Sequence, residues 1–357
     1  MRKRYGGFDF LRILSCCGIL FLHFSNYTCP DGVYFGQILI DPQSDRLNLN
    51  CIVEVFFAIS GFLMYETIQK GNDDFDFAKV MRSRLIRIIP MLTISTLLLV
   101  ILGRLLVLSG DTHGIDIYDF HYYLWLILSS CLGIEYIWGG ISPLVNFESW
   151  FVDILLVCNV LYLISIKLSK KLKISNRYVL YIYVIWGIIC HLGNYEVPFC
   201  SFICGRGYVP FFAGVLLAAW LEEKKDRRYI NIYALSVVTT YGLYMLFWPD
   251  YIIYEKPLLV GVFVAPALVI LFSTETAGRW FSAEIWGKLS KVTYSVYLTH
   301  VSLIYIIFLM SNLLGIKIDF PHEIILFTFI ILAFLFGGVM YLVAEKPITS
   351  LLSKTEK

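Results

Sequence analysis

Residues 8–24, FDFLRILSCCGILFLHF, decide the class of fold. This apolar run continues to about residue 27, and roughly 20 such residues are what a helix needs to cross the hydrocarbon core of a bilayer. Basic residues at 2–4 precede it, but no small-residue cleavage site follows within reach, so we expect a retained span rather than a removed signal peptide. Two ionisable residues, Arg12 and His23, lie inside the run.

The composition of the whole chain excludes a water-soluble protein. Of 357 residues, 58% are hydrophobic and 16% are charged, and the mean hydropathy is +0.72. Soluble domains carry roughly 25% charged residues. The net charge is +2 and no long basic tract interleaves with aromatic residues, so we expect no nucleic-acid partner. The nine cysteines form no CxxC pair and no zinc-ligand spacing, which predicts neither a metal site nor a thioredoxin-like motif.

Ten apolar runs are long enough to cross a membrane. They lie near residues 8–27, 51–68, 88–108, 150–166, 179–193, 207–221, 230–247, 257–273, 293–311 and 323–343. An eleventh, aromatic stretch from His121 to Trp138 is ambiguous. Counting it as a span would reverse the orientation of everything that follows.

The distribution of Lys and Arg resolves this ambiguity, because cytoplasmic loops are enriched in both. With ten spans and the N-terminus inside, only five of the 29 basic residues face outward, whereas an eleventh span would expose the basic cluster 167–177. We therefore place residues 121–138 at the outer interface, as an aromatic belt. The belt residues are Tyr122, Tyr123, Trp125 and Trp138, and the five outer basic residues are Arg46, Arg104, Arg206, Lys256 and Lys317.

These patterns predict an all-α, polytopic transmembrane helical bundle of about ten spans with both termini in the cytoplasm. Residues 1–357 form a single transmembrane domain in this interpretation, with short loops, no internal repeat and no appended soluble domain. The lipid bilayer is then its principal environment.

Arg12 and His23 are the first candidates for chemistry. They are eleven residues apart, and at about 100° per residue both point to one helix face, about 16 Å apart along the axis. An arginine can hold phosphate through charge-assisted hydrogen bonds, and a buried histidine can act as a general base or carry an acyl group. Two simpler explanations stay open: a positive-inside anchor for Arg12, and a structural histidine for His23.

A second cluster lies in the run RSRLIRIIP, where Arg82, Arg84 and Arg87 precede Pro90. Arg84 and Arg87 are three residues apart and share a helix face. The cluster could bind the phosphates of a nucleotide or face anionic lipid headgroups, and the sequence alone favours the lipid interpretation.

Other ionisable residues also lie within the apolar runs, and each is a functional hypothesis because charge in a bilayer is costly. Glu54 and Asp153 lie near the outer ends of spans, where either could contact an external acceptor or reach the interface. Glu66 is a further acidic candidate. His300 is deeper, and we expect it to pair with a carboxylate or to share a pathway with His23.

The predicted topology places two pairs of cysteines on the outer side. Cys29 and Cys51 close the first outer loop, and Cys200 and Cys204 lie in another. Disulfides could form there if that side is oxidising. Buried or free thiols are the alternative.

Five motifs, taken in order, resemble the membrane acyltransferase-3 family of bacterial acyltransferases. The run at residues 8–24 is similar to the family's opening helix, in which ten residues separate an arginine from a histidine, here Arg12 and His23. The other four are FFAISGFLM at 56–64, RLIR at 84–87, YSVYLTH at 294–300 and AEKP at 344–347. The resemblance covers nearly the whole chain.

One departure concerns the region after Trp150. Many members carry a pair of carboxylates five and six residues further on, where this chain has Leu155 and Leu156. Glu148 and Asp153 are the nearby acidic residues. The acceptor side of the site is therefore expected to differ from that of other members.

The resemblance implies an integral-membrane O-acyltransferase of the bacterial cytoplasmic membrane, with no bound cofactor. Acetyl-coenzyme A, or a longer acyl-coenzyme A, would be the donor, and a hydroxyl of an extracytoplasmic glycan or lipid-linked sugar would be the acceptor. The implied residues are His23 for catalysis; Arg12, Arg84 and Arg87 for the donor; and Glu148, Trp150, Asp153 and His300 for acceptor contacts or support.

The alternative is a secondary transporter or exporter. In that case His23, His300 and Asp153 would form a proton relay within the membrane. Transporters often contain two related halves, and no such repeat is visible in this sequence. A non-catalytic scaffold explains the intramembrane ionisable residues poorly.

Overall fold

The computed structural model describes residues 4–44, 47–69, 75–110, 120–138, 145–193, 195–223, 228–247 and 256–354. Within these ranges the chain consists of α-helices, short 3₁₀ and π-helical segments and two small hairpins. The helices are α1 Gly6–Thr28, α2 Val53–Gln69, α3 Phe77–Leu108, α4 Phe120–Leu132, α5 Ser149–Leu172, α6 Asn176–Gly193, α7 Phe202–Glu223, α8 Arg228–Phe247, α9 Lys256–Leu259, α10 Ala265–Phe272, α11 Glu275–Trp280, α12 Glu284–Leu314, α13 Glu323–Met340 and α14 Lys346–Lys354.

The remaining elements are short. Antiparallel strands β1 Val33–Phe35 and β2 Ile38–Ile40 form one hairpin, and β3 Glu196–Val197 and β4 Cys200–Ser201 form the other. The 3₁₀ segments are Leu49–Ile52 and Glu135–Trp138, and the π-helical segments are Val260–Val264 and Tyr341–Glu345.

Eight helical stretches among the described residues are long and apolar enough to cross a membrane. They are Gly6–Thr28, Leu49–Ile68, Phe77–Leu108, Ser149–Leu172, Phe202–Glu223, Arg228–Phe247, Glu284–Leu314 and Glu323–Lys354. The other two predicted spans lie on α6 and on the apolar stretch Lys256–Phe272. The chain is thus a multi-pass membrane protein of the all-α class, while the count of ten spans and the location of the termini stay predictions.

Helix α3 begins well before the apolar run that predicts it. The side chain of Asp76 accepts hydrogen bonds from the backbone N–H groups of Ala78 (2.9 Å) and Lys79 (3.3 Å), which satisfies donors that a helix start leaves unpaired. The helix continues through Pro90 without ending. As a result the basic cluster before Pro90 and the apolar span after it form one element.

The aromatic stretch of uncertain placement folds as a short helix followed by a turn. Helix α4 has 13 residues, too few to cross about 30 Å of hydrocarbon. Gly133, at φ +68°, then redirects the chain into the 3₁₀ segment Glu135–Trp138. The side chain of Trp125 is exposed, whereas those of Tyr122, Tyr123 and Trp138 lie outside the described part, so the aromatic belt stays a prediction.

Helices α2 and α7 approach so closely that glycine is required at their contact. A methyl group at Gly61 would collide with the carbonyl oxygen of Phe211, and one at Gly214 with that of Ala58. Small residues of this kind are how transmembrane helices bring their backbones together. Helix α1 contacts α2 as well and packs chiefly against α12.

Candidate active site

Three residues that are far apart in sequence meet in the interior. His23 Nδ1 lies 2.7 Å from His300 Nε2 and 3.0 Å from Glu148 Oε1. His23 belongs to α1, His300 to α12, and Glu148 directly precedes α5. All three side chains are buried. We call this cluster the histidine site. The sequence predicted a carboxylate partner for His300 or a pathway shared with His23, and the structure places the ring of His300 against that of His23.

Local structure holds each member in place. His300 is one turn after Tyr297 in α12, and its Nδ1 lies 2.6 Å from the Tyr297 carbonyl oxygen. The hydroxyl of the same tyrosine donates to the backbone carbonyl of Glu148 at 3.0 Å. Tyr297 therefore joins the two helices that carry His300 and Glu148.

These contacts decide which ring nitrogens carry protons. A carbonyl oxygen only accepts, so Nδ1 of His300 must be the donor toward Tyr297, and Nε2 of a neutral His300 is then an acceptor. The Nδ1–H of His23 donates to that acceptor. Nε2 of His23 is consequently left with the lone pair of the imidazole.

The carboxylate beside His23 is suited to stabilise positive charge on the ring. Burial raises the pKa of Glu148, but His23 and His300 outweigh this effect and bring the pKa below its usual value. Glu148 is thus an anion 3.0 Å from Nδ1 of His23. A proton gained at Nε2 of His23 would be offset by this charge, which is what a general base requires.

The three arginines singled out in the sequence line one cavity. Arg12 from α1 and Arg84 and Arg87 from α3 border a space of about 130 Å³ and an adjoining one of about 220 Å³. We call the two spaces together the arginine cavity. Its other walls include Phe56, Ser60, Glu66, Phe151, Ser290, Thr293, Tyr294 and Tyr297.

The ring of Tyr297 stands between the arginine cavity and the histidine site. Tyr297 and Phe151 line the cavity, and their ring centroids are 5.6 Å apart. The Tyr297 ring is in turn 6.1 Å from the ring of His300. His23 is not among the residues that line the cavity. One aromatic side chain therefore separates the cavity from the two histidines.

Asp153 and Trp150 support the region without touching the histidines in the contacts that the structure describes. Asp153 is buried, and its Oδ2 accepts the backbone N–H of Tyr136 at 2.9 Å. Trp150 packs on the guanidinium of Arg206, 4.9 Å from ring centroid to Cζ. Both residues follow Glu148 in the first turns of α5, so they fix the helix start on which that carboxylate depends.

Glu54 corrects one expectation from the sequence. Instead of facing an external acceptor or the interface, it is fully buried and paired with Arg206, with 2.6 Å between Oε1 and Nε. Arg206, which the charge count placed outside the membrane, lies within α7 and also donates to the carbonyl of Asn50 at 2.6 Å. Its position between two glycines in an apolar run was the signal that could have identified a buried cation.

Two of the late motifs are in direct contact. Ser295 Oγ donates to Glu345 Oε2 at 2.5 Å, and Tyr294 OH donates to the carbonyl of Ile88 in α3 at 2.8 Å. Glu345 lies in the π-helical segment Tyr341–Glu345, a local widening of the helix that is frequent at functional sites. The motifs therefore connect α12 to the helix that bears the arginines.

The histidine site could also hold a metal ion. His23, Glu148 and His300 each offer one ligand atom, and these atoms lie within 4.8 Å of one another. Two imidazoles and a carboxylate would suit zinc or non-haem iron. The sequence-based expectation of no metal site rested on cysteines and zinc spacing, and it stays a prediction.

Comparison with known families identifies the chain. The acyltransferase-3 family model, described as an acyltransferase domain, matches residues 5–343. No curated protein and no solved structure matches the chain. The matched range contains four of the five motifs quoted above, the histidine site and the arginine cavity, and the fifth motif, AEKP, begins one residue after it. The chain therefore belongs to the membrane acyltransferase-3 family, and acyl transfer is its general activity.

Proposed function

We propose that the protein takes an acetyl group from acetyl-coenzyme A at the cytoplasmic face of the bacterial inner membrane. It delivers this group to a hydroxyl of a glycan or lipid-linked sugar on the outer face. The observation that carries the proposal is the position of the arginine cavity next to the histidine site, with Tyr297 between them. The excess of basic residues in the predicted inner loops supports this orientation.

The arginine cavity suits the donor. Its three guanidinium groups can bind phosphate oxygens in the bidentate manner that arginine favours. The pantetheine arm would then extend along α1, for which the roughly 16 Å of helix between Arg12 and His23 is a suitable length. We infer that Phe151 and Tyr297 turn aside as the arm passes, because both rings line the cavity and the ring of Tyr297 lies 6.1 Å from that of His300.

His23 is the proposed catalytic residue, through Nε2. In one route Nε2 takes the proton of the acceptor hydroxyl while the hydroxyl oxygen attacks the thioester carbonyl. The proton then passes from Nε2 to the departing thiolate. In the other, Nε2 attacks the thioester and coenzyme A leaves as the thiolate. The acceptor hydroxyl then takes the acyl group from the ring, and its proton passes to the thiolate. In both routes His300 accepts the Nδ1–H of His23, and the charge of Glu148 lies 3.0 Å from the same nitrogen, so that the two residues position His23.

The acceptor would approach past Phe147. This residue is 51% exposed, and its ring centroid is 6.4 Å from that of His23 in an edge-on arrangement. It directly precedes Glu148. An exposed apolar ring beside a buried base offers a surface on which a sugar ring can lie with one hydroxyl directed at Nε2.

The test uses membrane vesicles of both orientations and acetyl-coenzyme A labelled in the acetyl group. In inside-out vesicles the labelled donor reaches the cytoplasmic face, and label is expected in the extracted glycan or glycolipid. Right-side-out vesicles given the same external donor should incorporate little label. His23→Ala removes the proposed base, and His191→Gln, a change at another buried histidine in α6, is the matched control.

Three results would contradict the proposal. Equal labelling in both orientations would reject the cytoplasmic donor site. Absence of label with intact acceptor lipid, together with proton-driven solute movement, would favour the transporter. Loss of transfer on chelation, with recovery on adding zinc, would assign the histidine site to a metal rather than to a free base.

A further inference from the structure

We propose that Cys190 and Cys200 form a disulfide bond that fastens the hairpin β3–β4 to the end of α6. Their Sγ atoms are 3.2 Å apart, and both side chains are buried. A disulfide bond is about 2.05 Å long, so bond formation requires the sulfurs to approach by about 1 Å. All nine cysteines are free thiols in the structure, and all nine lie within the described residues.

This pairing differs from the one expected from the sequence. Cys204 is four residues after Cys200 and lies in the first turn of α7, where its backbone N–H contacts Ser201 Oγ at 3.3 Å. The sulfur of Cys200 in β4 instead faces that of Cys190 in α6. A bond between Cys190 and Cys200 would join α6 to the hairpin. A bond between Cys200 and Cys204 would leave α6 unattached.

Both sulfurs rest on well-fixed backbone. Helices α6 and α7 pack so closely that a methyl at Gly205 would lie 2.6 Å from the backbone nitrogen of His191, beside Cys190. On the hairpin, Phe199 has φ +59°, a left-handed conformation that a bulky residue rarely adopts. Two hydrogen bonds hold it: its N–H donates to the Ile137 carbonyl at 3.0 Å, and its carbonyl accepts from Tyr208 OH at 3.2 Å.

The compartment follows from the proposed orientation, on which this inference rests. The end of α6 and the hairpin lie on the outer side in that orientation, where disulfides persist. Each thiol gives up a proton, and the pair gives up two electrons as the S–S bond forms. The electrons reduce the disulfide of an extracytoplasmic thiol oxidant to a dithiol.

The bond would support the acceptor side of the histidine site. The hairpin binds the 3₁₀ segment Glu135–Trp138 through Ile137. In that segment the Tyr136 hydroxyl donates to the carbonyl of Phe147 at 3.3 Å. Phe147 adjoins Glu148, so a loosened hairpin would weaken the position of that carboxylate. Cys190 and Cys200 are thus positioning residues.

One tryptic peptide contains every cysteine needed for the test. No Lys or Arg occurs between Arg177 and Arg206, so trypsin releases residues 178–206 with Cys190, Cys200 and Cys204 together. Membranes from aerobically grown cells are denatured in light N-ethylmaleimide, then reduced, then treated with the heavy isotopic form. We expect light label on Cys204 and heavy label on Cys190 and Cys200. Fragmentation of the peptide assigns each label.

The variants make the outcome unambiguous. Cys204→Ser should keep two heavy labels, and Cys190→Ser should leave none. Heavy label on Cys204, or light label on all three cysteines of the wild type, would overturn the proposal. Reduction should also lower the melting temperature in detergent by about 5 °C in the wild type, with no such shift in the C190S/C200S double variant.

The labelling pattern does not depend on acyl transfer. A wild type that carries the two heavy labels but transfers no acetyl group would leave the disulfide in place and reject the proposed function. A wild type that transfers acetyl but carries only light label would reject the disulfide and leave the proposed function in place.

Discussion

The histidine site and the arginine cavity differ in how they treat charge. In the histidine site a carboxylate and two imidazoles are buried together at 2.7–3.0 Å, so each group depends on the others. In the arginine cavity the side chains of three cations line the same two spaces, of about 130 and 220 Å³. Interdependent buried groups should show large losses on substitution, and cavity-lining cations should show smaller and more separable ones.

The largest expected effect is at His23. His23→Ala removes the only proposed base and should lower the rate of acetyl transfer by about 10²–10⁴-fold. The measurement is labelled acetyl incorporation at saturating donor. The amount of protein in the membrane and its melting temperature should match those of the His191→Gln control, and a transfer rate near the wild-type value would reject His23 as the catalytic residue.

Glu148→Gln should produce the next largest loss. The amide keeps the size of the side chain but removes the charge that faces His23 Nδ1. A buried charge contact of this kind is expected to contribute as much as a hydrogen bond to a charged group, about 1.5–3 kcal/mol, so the rate should fall roughly 10- to 100-fold. Glu66→Gln, which removes a carboxylate from the arginine cavity, should cost less. Equal losses of transfer rate in Glu148→Gln and Glu66→Gln would show that charge is no more important in the histidine site than in the arginine cavity.

Arg84→Gln and Arg87→Gln should affect donor binding rather than the chemical step. Each loses charge-assisted contacts to phosphate, which predicts an increase of about 10-fold in KM for acetyl-coenzyme A with little change in kcat. The control is Arg82→Gln, since Arg82 belongs to the same cluster but does not line the described cavity. An unchanged KM in the first two variants would support the lipid-headgroup interpretation.

An effect of another kind, on stability rather than on the rate of transfer, is expected near the histidine site. Burial raises the pKa of Glu135 to about 7, although contacts with Ser130, Val145 and Ser149 oppose the rise. The folded state therefore keeps a proton that the unfolded state has released between about pH 4.5 and 7. The contribution of Glu135 to the free energy of unfolding is fully present below pH 4.5. It falls by at most about 3 kcal/mol as the pH rises through 7.

Glu135→Gln cannot titrate, so its unfolding temperature should vary less between pH 4.5 and 8 than that of the wild type. Glu196→Gln, a change at an exposed glutamate in β3, should leave the pH dependence as it is. If the Glu135→Gln variant follows the wild-type curve, Glu135 does not hold a proton in the folded state.

The sequence predicted which site residues lie on the same face of a single helix. Helical spacing put Arg12 and His23 on one face, and three-residue spacing did the same for Arg84 and Arg87. The structure shows that all three arginines line one cavity. Their roles as donor ligands stay predictions. The family assignment from five short motifs is confirmed.

Other features required contacts between helices that no local pattern encodes. Glu148 had no spacing relation to His23. Only the tertiary structure brings the residue before α5 next to His23 in α1 and Tyr297 in α12. The same holds for Glu54, whose partner Arg206 lies 152 residues away. The sequence placed Cys200 and Cys204 in one outer loop and left a disulfide or free thiols open, and the structure brings the sulfur of Cys200 next to that of Cys190.

The sequence by itself determined that this chain is a multi-pass helical membrane protein of one acyltransferase family. Apolar run length and short motifs are local properties, and the bilayer converts them into helices because backbone polar groups must be satisfied within each segment. Only the tertiary structure decided which buried groups share a proton. That depends on atomic distances between distant segments, and changes of about 1 Å there decide whether a hydrogen bond exists.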